Sequence, residues 1–188
     1  MIFGTHSRLR FSEPEDARFY RDLYVEGGPK AALLDVRREF GLPTLQEIRD
    51  LLKKSEAARA YLFTVEDLEG NLCGWCGLRG LNVEGAYCEL FLVFNAQETY
   101  ATPLARETLD VLLYRAFKQL GLRKVLATCL DSEPSLRACL VDHGFRSCGV
   151  QREAVFGGGA WHDLDTLSLD KDMYGAYETG LGPGATTS

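Results

Sequence analysis

Glu89 is the only charged residue in the apolar run from Ala86 to Phe94. Burial on such a strand would raise its pKa toward the range of a working general base, while the structural alternative is an ion pair with a neighbouring strand. Cys73 and Cys76 have the spacing of a redox or zinc motif. They follow the Glu69-Gly70-Asn71 turn in a stretch that reads as strand, where residues three apart face opposite sides, so no metal site is expected. Ser135 stands just after Pro134 in the first turn of a helix, where a hydroxyl commonly satisfies a free backbone N–H. His143 precedes Gly144 and is expected as a C-terminal cap, and His162 as hairpin surface.

These residues need elements to hold them. Arg8 to Phe11 alternates as a strand, and Pro14 opens a helix with Ala17, Tyr20 and Tyr24 on one face, ended by Gly27-Gly28-Pro29. A second helical stretch is expected from Ala31 to Phe40, stopped by Gly41. Thr44 and Glu47 then have capping-box spacing for a helix that turns Ile48, Leu51 and Leu52 inward. Ala60 to Val65, Leu72 to Leu81 and Ala86 to Phe94 read as strands joined by short turns, hence an antiparallel meander. Thr102-Pro103 starts a long helix whose stripe is Ala105, Leu109, Leu112, Leu113, Ala116, Phe117 and Leu120, closed by Gly121. Lys124 to Leu130 as strand, a helix to His143, and a hairpin around Gly157-Gly158-Gly159 complete the order.

A chain of 188 residues with 46% hydrophobic and 26% charged residues can bury one sizeable core. We expect one domain over residues 1–176 and a disordered Gly/Pro/Thr-rich tail over 177–188. Net charge of −6 leaves no basic field for nucleic acid, and no apolar run is long enough to span a bilayer. Without a secretory signal, six cysteines read as reduced, small hydrophobes, and a cytoplasmic location is expected.

The element order resembles the GNAT superfamily of acyl-CoA-dependent N-acetyltransferases. Arg8-Leu9-Arg10 with Asp16, the stretch from Ser135 to Gly144-Phe145, and Trp161-His162-Asp163 followed by Leu167-Ser168-Leu169 are similar to its RimJ/RimL branch, which acetylates protein N-terminal amines. The resemblance implies an α/β (α+β) fold with a mixed, mostly antiparallel seven-stranded sheet, a splayed central strand pair and helices on both faces. It also implies direct attack of a primary amine, on a small molecule or a protein N-terminus, on acetyl-CoA in a ternary complex. Backbone groups of Leu92, Val93 and Phe94 would hold the pantetheine arm, with an N–H of Leu92 or Val93 polarising the thioester. The diphosphate would meet the positive helix end at Pro103, served by Thr99, Tyr100, Ala101, Thr102, Leu104 and Arg106.

For that reaction Glu89, the lone charge on its strand, is the candidate base, and the resemblance implies Ser135 as the acid. Ser132 or Glu133 replaces the branch's asparagine near the cofactor, while Tyr24, Phe40, Trp161 and Asp163 line the acceptor's route. Besides that asparagine, the chain departs from the family in two further places. The phosphate loop, read as Glu98 to Pro103 or from Gln97, lacks its glycines, and Leu140 stands where some members carry a tyrosine acid. A catalytically degenerate ligand-binding or dimerisation module is the alternative, and a homodimer is left open.

Overall fold

Turn chemistry sets the meander at the centre of the sheet. Asp67 accepts from the backbone and side-chain N–H of Asn71, and Gly70 takes a positive φ of 87°, so the chain reverses between two strands. The computed structural model describes residues 2–26, 28–34, 42–54 and 61–178. Its strands are β1 (Ile2–Phe3), β2 (Arg8–Phe11), β3 (Tyr61–Glu66), β4 (Leu72–Asn82), β5 (Tyr87–Phe94), β6 (Lys124–Leu130), β7 (Arg146–Gly157) and β8 (Ala160–Asp170). They form one sheet in the order β1-β2-β3-β4-β5-β6-β8-β7. The expected seven strands are joined by a two-residue eighth, β1, which pairs antiparallel with β2.

The helices are α1 (Ala17–Val25), α2 (Leu45–Lys54), α3 (Pro103–Tyr114), α4 (Pro134–Asp142) and α5 (Lys171–Glu178). Only β5 and β6 pair in parallel among the described strands, because α3 carries the chain back across the sheet between them. Period-two alternation divides the core into two layers. Cys88, Leu90, Leu92 and Phe94 pack with Leu109, Leu112 and Leu136 of α3 and α4, while Phe91 and Val93 pack with Tyr20 of α1 and Ile48 of α2. Helices therefore cover both faces.

Several boundaries differ from expectation. Thr44 and Glu47 form the reciprocal cap that starts α2, yet Leu51 is exposed and only Ile48 and Leu52 are buried. The stretch expected as helix from Ala31 is a 3-10 turn over Ala31–Leu33, and its continuation through residues 35–41 lies outside the described residues. After Tyr114 the helix widens into a π-type turn, Arg115–Gln119, ended by Gly121 at a φ of 66°. The last helix runs through Glu178, two residues past the expected domain boundary at 176, and residues 179–188 lie outside those described.

Candidate active site

β5 and β6 are paired at Tyr87↔Lys124, Cys88↔Val125 and Glu89↔Leu126, and then no further, although the strands continue to Phe94 and Leu130. A wedge opens there. Asn95 donates its N–H to Cys73 C=O at 3.0 Å, on the β4 side, so alternation sends the N–H of Val93 the same way and those of Leu92 and Phe94 into the wedge. The expectation that Val93 could polarise a carbonyl in the gap is thus corrected: its amide faces β4 and its side chain packs under α1 and α2. Leu92 C=O and Phe94 N–H both bond the Tyr100 hydroxyl, at 3.2 and 3.3 Å.

Tyr100 belongs to a 3-10 turn, Gln97–Ala101, that leads into α3. Pro103 is the first helical residue, a position where its missing N–H costs no intrahelical bond. The Thr102 hydroxyl donates back to Thr99 C=O at 2.7 Å and makes no capping bond to the helix. The first-turn amides and the positive end of α3 are thereby left to an anion. A groove of about 220 Å³ lies beside that end, lined by Tyr100, Ala101, Arg106, Ser135, Ala138 and His143 among others. Ser135, 29 residues beyond Arg106 in sequence, is thus brought to the same groove. Arg106 is exposed and lies 3.7 Å from Asp142, Thr99 is half-buried, and Leu104 packs onto the core.

The other face of the wedge is polar. Glu89, about one-third exposed, forms a bidentate pair with Arg79 at 2.7 and 3.1 Å, the pairing expected of a structural strand carboxylate. Arg79 also donates to Ala32 C=O at 2.8 Å, and Thr128 lies 3.5 Å from Glu89. Across the gap, Glu133 is 3% exposed and accepts from the N–H groups of Ala31 and Leu130, each at 2.9 Å. Two carboxylates therefore pin the Ala31–Ala32 turn over the open strands, Glu133 directly and Glu89 through Arg79. Glu133, expected beside the cofactor, accepts both N–H bonds through one oxygen and so braces the frame. Burial raises its carboxyl above the usual range, against the two N–H bonds and the nearby Lys30 ammonium. Lys30 is buried as well, donating to Leu23 C=O at 2.8 Å and to Glu26 C=O, where it closes the end of α1.

The residues expected along the acceptor's route are less uniform. Tyr24 is half-buried against the α1/α2 core, and Phe40 lies outside the described residues. Trp161 is exposed and meets Phe156 edge to face at 5.4 Å. Asp163 accepts from Glu153 N–H at 2.8 Å and from the Arg152 guanidinium, holding a bulge in which Glu153 has a φ of 48°. The hairpin tip reaches the connection after α1: a Cβ on Gly157 would stand 2.9 Å from the Pro29 ring, so only glycine allows that approach. His162 is tied rather than loose on the surface, its ring nitrogens 2.9 Å from Asp131 and 3.1 Å from Gly157 C=O, and the Asp131 bond raises its pKa. His143 bonds Cys139 C=O at 2.7 Å at the end of α4, as a cap does.

A sequence model of the acetyltransferase (GNAT) domain matches residues 9–165. The chain belongs to the GNAT acetyltransferase family. No match was found among curated protein sequences. Solved structures similar to this GNAT chain include mutant forms of the spermidine/spermine N-acetyltransferase SpeG from Vibrio cholerae, with 20% identity over 93% of this chain and 99% of that one and a TM-score of 0.77. The dodecameric spermidine N-acetyltransferase from Vibrio cholerae in an intermediate state is 23% identical over 91% of this chain and 97% of that one, with a TM-score of 0.75. At such identities the likeness shows the GNAT fold. The match places the chain in the family without singling out its RimJ/RimL branch.

Sequence reading passed over Arg79, Lys30 and Thr128. Arg79 had a legible signal, since a short turn after Asn82 brings it opposite Glu89 on the adjacent strand. Thr128 had none, because Glu89 comes from a separate strand, whereas Lys30 closes the end of α1 through the carbonyls of Leu23 and Glu26, only seven and four residues away.

Proposed function

We propose that this GNAT enzyme moves an acetyl group from acetyl-CoA to a primary amine, with a small cationic amine as the first acceptor to test and a protein N-terminus, by the RimJ/RimL resemblance, as the second. The supporting observation is the wedge: two strands that part after Glu89 and Leu126, beside a helix end that its own N-cap side chain leaves uncapped. The Leu92 N–H polarises the thioester carbonyl from the open edge. The amine nitrogen bonds the carbonyl carbon, its proton passes to Glu89, and the carbon–sulfur bond breaks. Ser135 gives the departing thiolate a proton and regains one from water. The groove beside α3 takes the diphosphate, with Arg106 as its cation. Tyr24, Trp161 and Asp163 flank the amine's approach.

The acidic balance of the chain, −6 overall, favours a cationic acceptor. Pairing of copies through β7, an edge strand exposed over most of its length, is part of the same proposal, as is a reducing compartment such as the cytoplasm for six free thiols.

Release of free thiol from acetyl-CoA, followed across spermidine, simple alkylamines and a peptide with a free N-terminus, tests the reading. At least one acceptor should turn over, and Glu89→Gln should lower kcat by about a hundredfold with little change in KM for acetyl-CoA. Turnover of none, with no binding of acetyl-CoA, would sink it. Unchanged kcat with lowered stability in Glu89→Gln would leave Glu89 as the structural partner of Arg79.

A further inference from the structure

The bonds made by Tyr100 are unusual for a loop side chain. Its hydroxyl donates to Leu92 C=O at 3.2 Å and accepts from Phe94 N–H at 3.3 Å, both at the long end of the hydrogen-bond range. These two groups belong to β5 beyond its last pairing with β6, where alternate residues present N–H and C=O in one direction. Such an edge recognises an extended, amide-bearing chain by strand addition. Tyr100 is 4% exposed, its ring sits edge-on to Phe94 at 5.1 Å, and the residue lines the same groove as Arg106 and Ser135. A side chain rooted in the phosphate-side turn therefore reaches under the sheet and closes the strand edge from within.

We propose that Tyr100 is a specificity-determining residue for the acyl donor: its hydroxyl holds the strand-edge groups that the amide-bearing arm of acetyl-CoA must take, so donor binding exchanges phenol for arm. This rests on the acetyl-CoA reading of the wedge. Affinity is then set by the difference between two sets of bonds rather than by the arm's bonds alone. The nucleotide half of coenzyme A lacks the arm and meets only the α3 end, so it does not compete with Tyr100. Loss of the hydroxyl leaves Leu92 C=O and Phe94 N–H unsatisfied in the ligand-free chain and restores them on binding, which favours the donor.

Calorimetric titration of the full chain with acetyl-CoA and with the nucleotide half of coenzyme A, for wild type and Tyr100→Phe, tests this. Tyr100→Phe should bind acetyl-CoA about tenfold more tightly while its affinity for the nucleotide half stays unchanged. Equal or weaker acetyl-CoA binding by a variant that melts cooperatively, with the nucleotide half still bound, overturns the role of Tyr100 alone. Failure of both chains to bind either ligand overturns the donor reading and this inference with it. On the wild-type chain, saturating acetyl-CoA should shift the Tyr100 phenol carbon resonance and the nucleotide half should leave it in place. A resonance unmoved by bound acetyl-CoA overturns the exchange.

Discussion

The two faces of the sheet are made of different material. Against α3 and α4 the core is larger and mainly aliphatic, with Leu90, Leu92, Leu109, Leu112, Val125 and Cys129 all within 1% of full burial and Phe94, Phe117 and Phe145 set among them. Against α1 and α2 it is smaller and aromatic, with Tyr20 stacked on Trp75 at 4.4 Å and Trp75 edge-on to Phe91 at 5.2 Å. Charge sits beside those rings. Asp16 pairs with Arg10 at 2.7 Å and accepts from Thr64, whose hydroxyl also bonds Tyr20, and the Arg79–Glu89 and Lys30–Glu133 groups follow toward the wedge. Dispersion and area hold the first face, and the second depends on satisfied polar partners. On the proposed reading, the dry face fixes the width of the wedge for the donor and the polar face receives the amine.

The contrast can be broken by substitution. Leu109→Ala should cost about 4 kcal/mol, read from urea unfolding, because it leaves a cavity in close-packed aliphatic surroundings. A cost below that of the next variant would mean that the dry face is not the main scaffold.

Asp16→Ala should cost about 3 kcal/mol, since it strips one partner from a largely buried Arg10 that keeps Glu66 at 2.6 Å. Burial alone would raise the Asp16 carboxyl, but Arg10, the Glu13 N–H and Thr64 together hold it below the usual range. Its stabilisation is therefore fully present above about pH 4, the ordinary aspartate value, and is lost as pH falls through its depressed one. The gap between wild type and variant should narrow in acid.

Glu133 sharpens the comparison with the opposite sign. Its carboxyl is raised, so the folded chain binds that proton more tightly than the unfolded one, and the group's contribution declines as pH climbs from the ordinary glutamate range through the raised value. Glu133→Ala should lose about 2 kcal/mol by orphaning the N–H groups of Ala31 and Leu130. Glu133→Gln keeps an acceptor, should cost under about 1 kcal/mol, and should flatten that pH dependence in melting curves. Smallest of all, Trp161→Ala on the exposed hairpin should alter stability by under about 0.5 kcal/mol while, on the proposed reading, raising KM for the amine.

Most of the scaffold was legible because it is written in local chemistry. The α3 stripe, the Thr44–Glu47 cap and the glycines at positive φ are patterns within a few residues. Leu51 misled because helical periodicity marks a stripe wider than the surface α2 buries. In the site, the residues that line the groove were in reach once the element order suggested a family, and Arg79 was in reach from the short turn that sets it opposite Glu89, whereas Ala31 as a partner of Glu133 was not. Arg79 lies ten residues from Glu89 on a facing strand, and Ala31 lies 102 residues from Glu133. Nothing near Glu133 in the sequence announces Ala31.

By itself the sequence determined the alternation of strands, the helix ends, the place where the central strands are joined by a helical crossover, and the lone carboxylate on β5. Only the tertiary structure decided which backbone groups face the wedge, that Val93 turns its amide away, that Glu133 serves the frame, and that Tyr100 reaches in from the loop to close the strand edge. The reason is physical. Periodicity and capping are set by bonds between near neighbours, but the direction of an amide and the partner of a buried charge are fixed only when distant segments compete to satisfy the same groups.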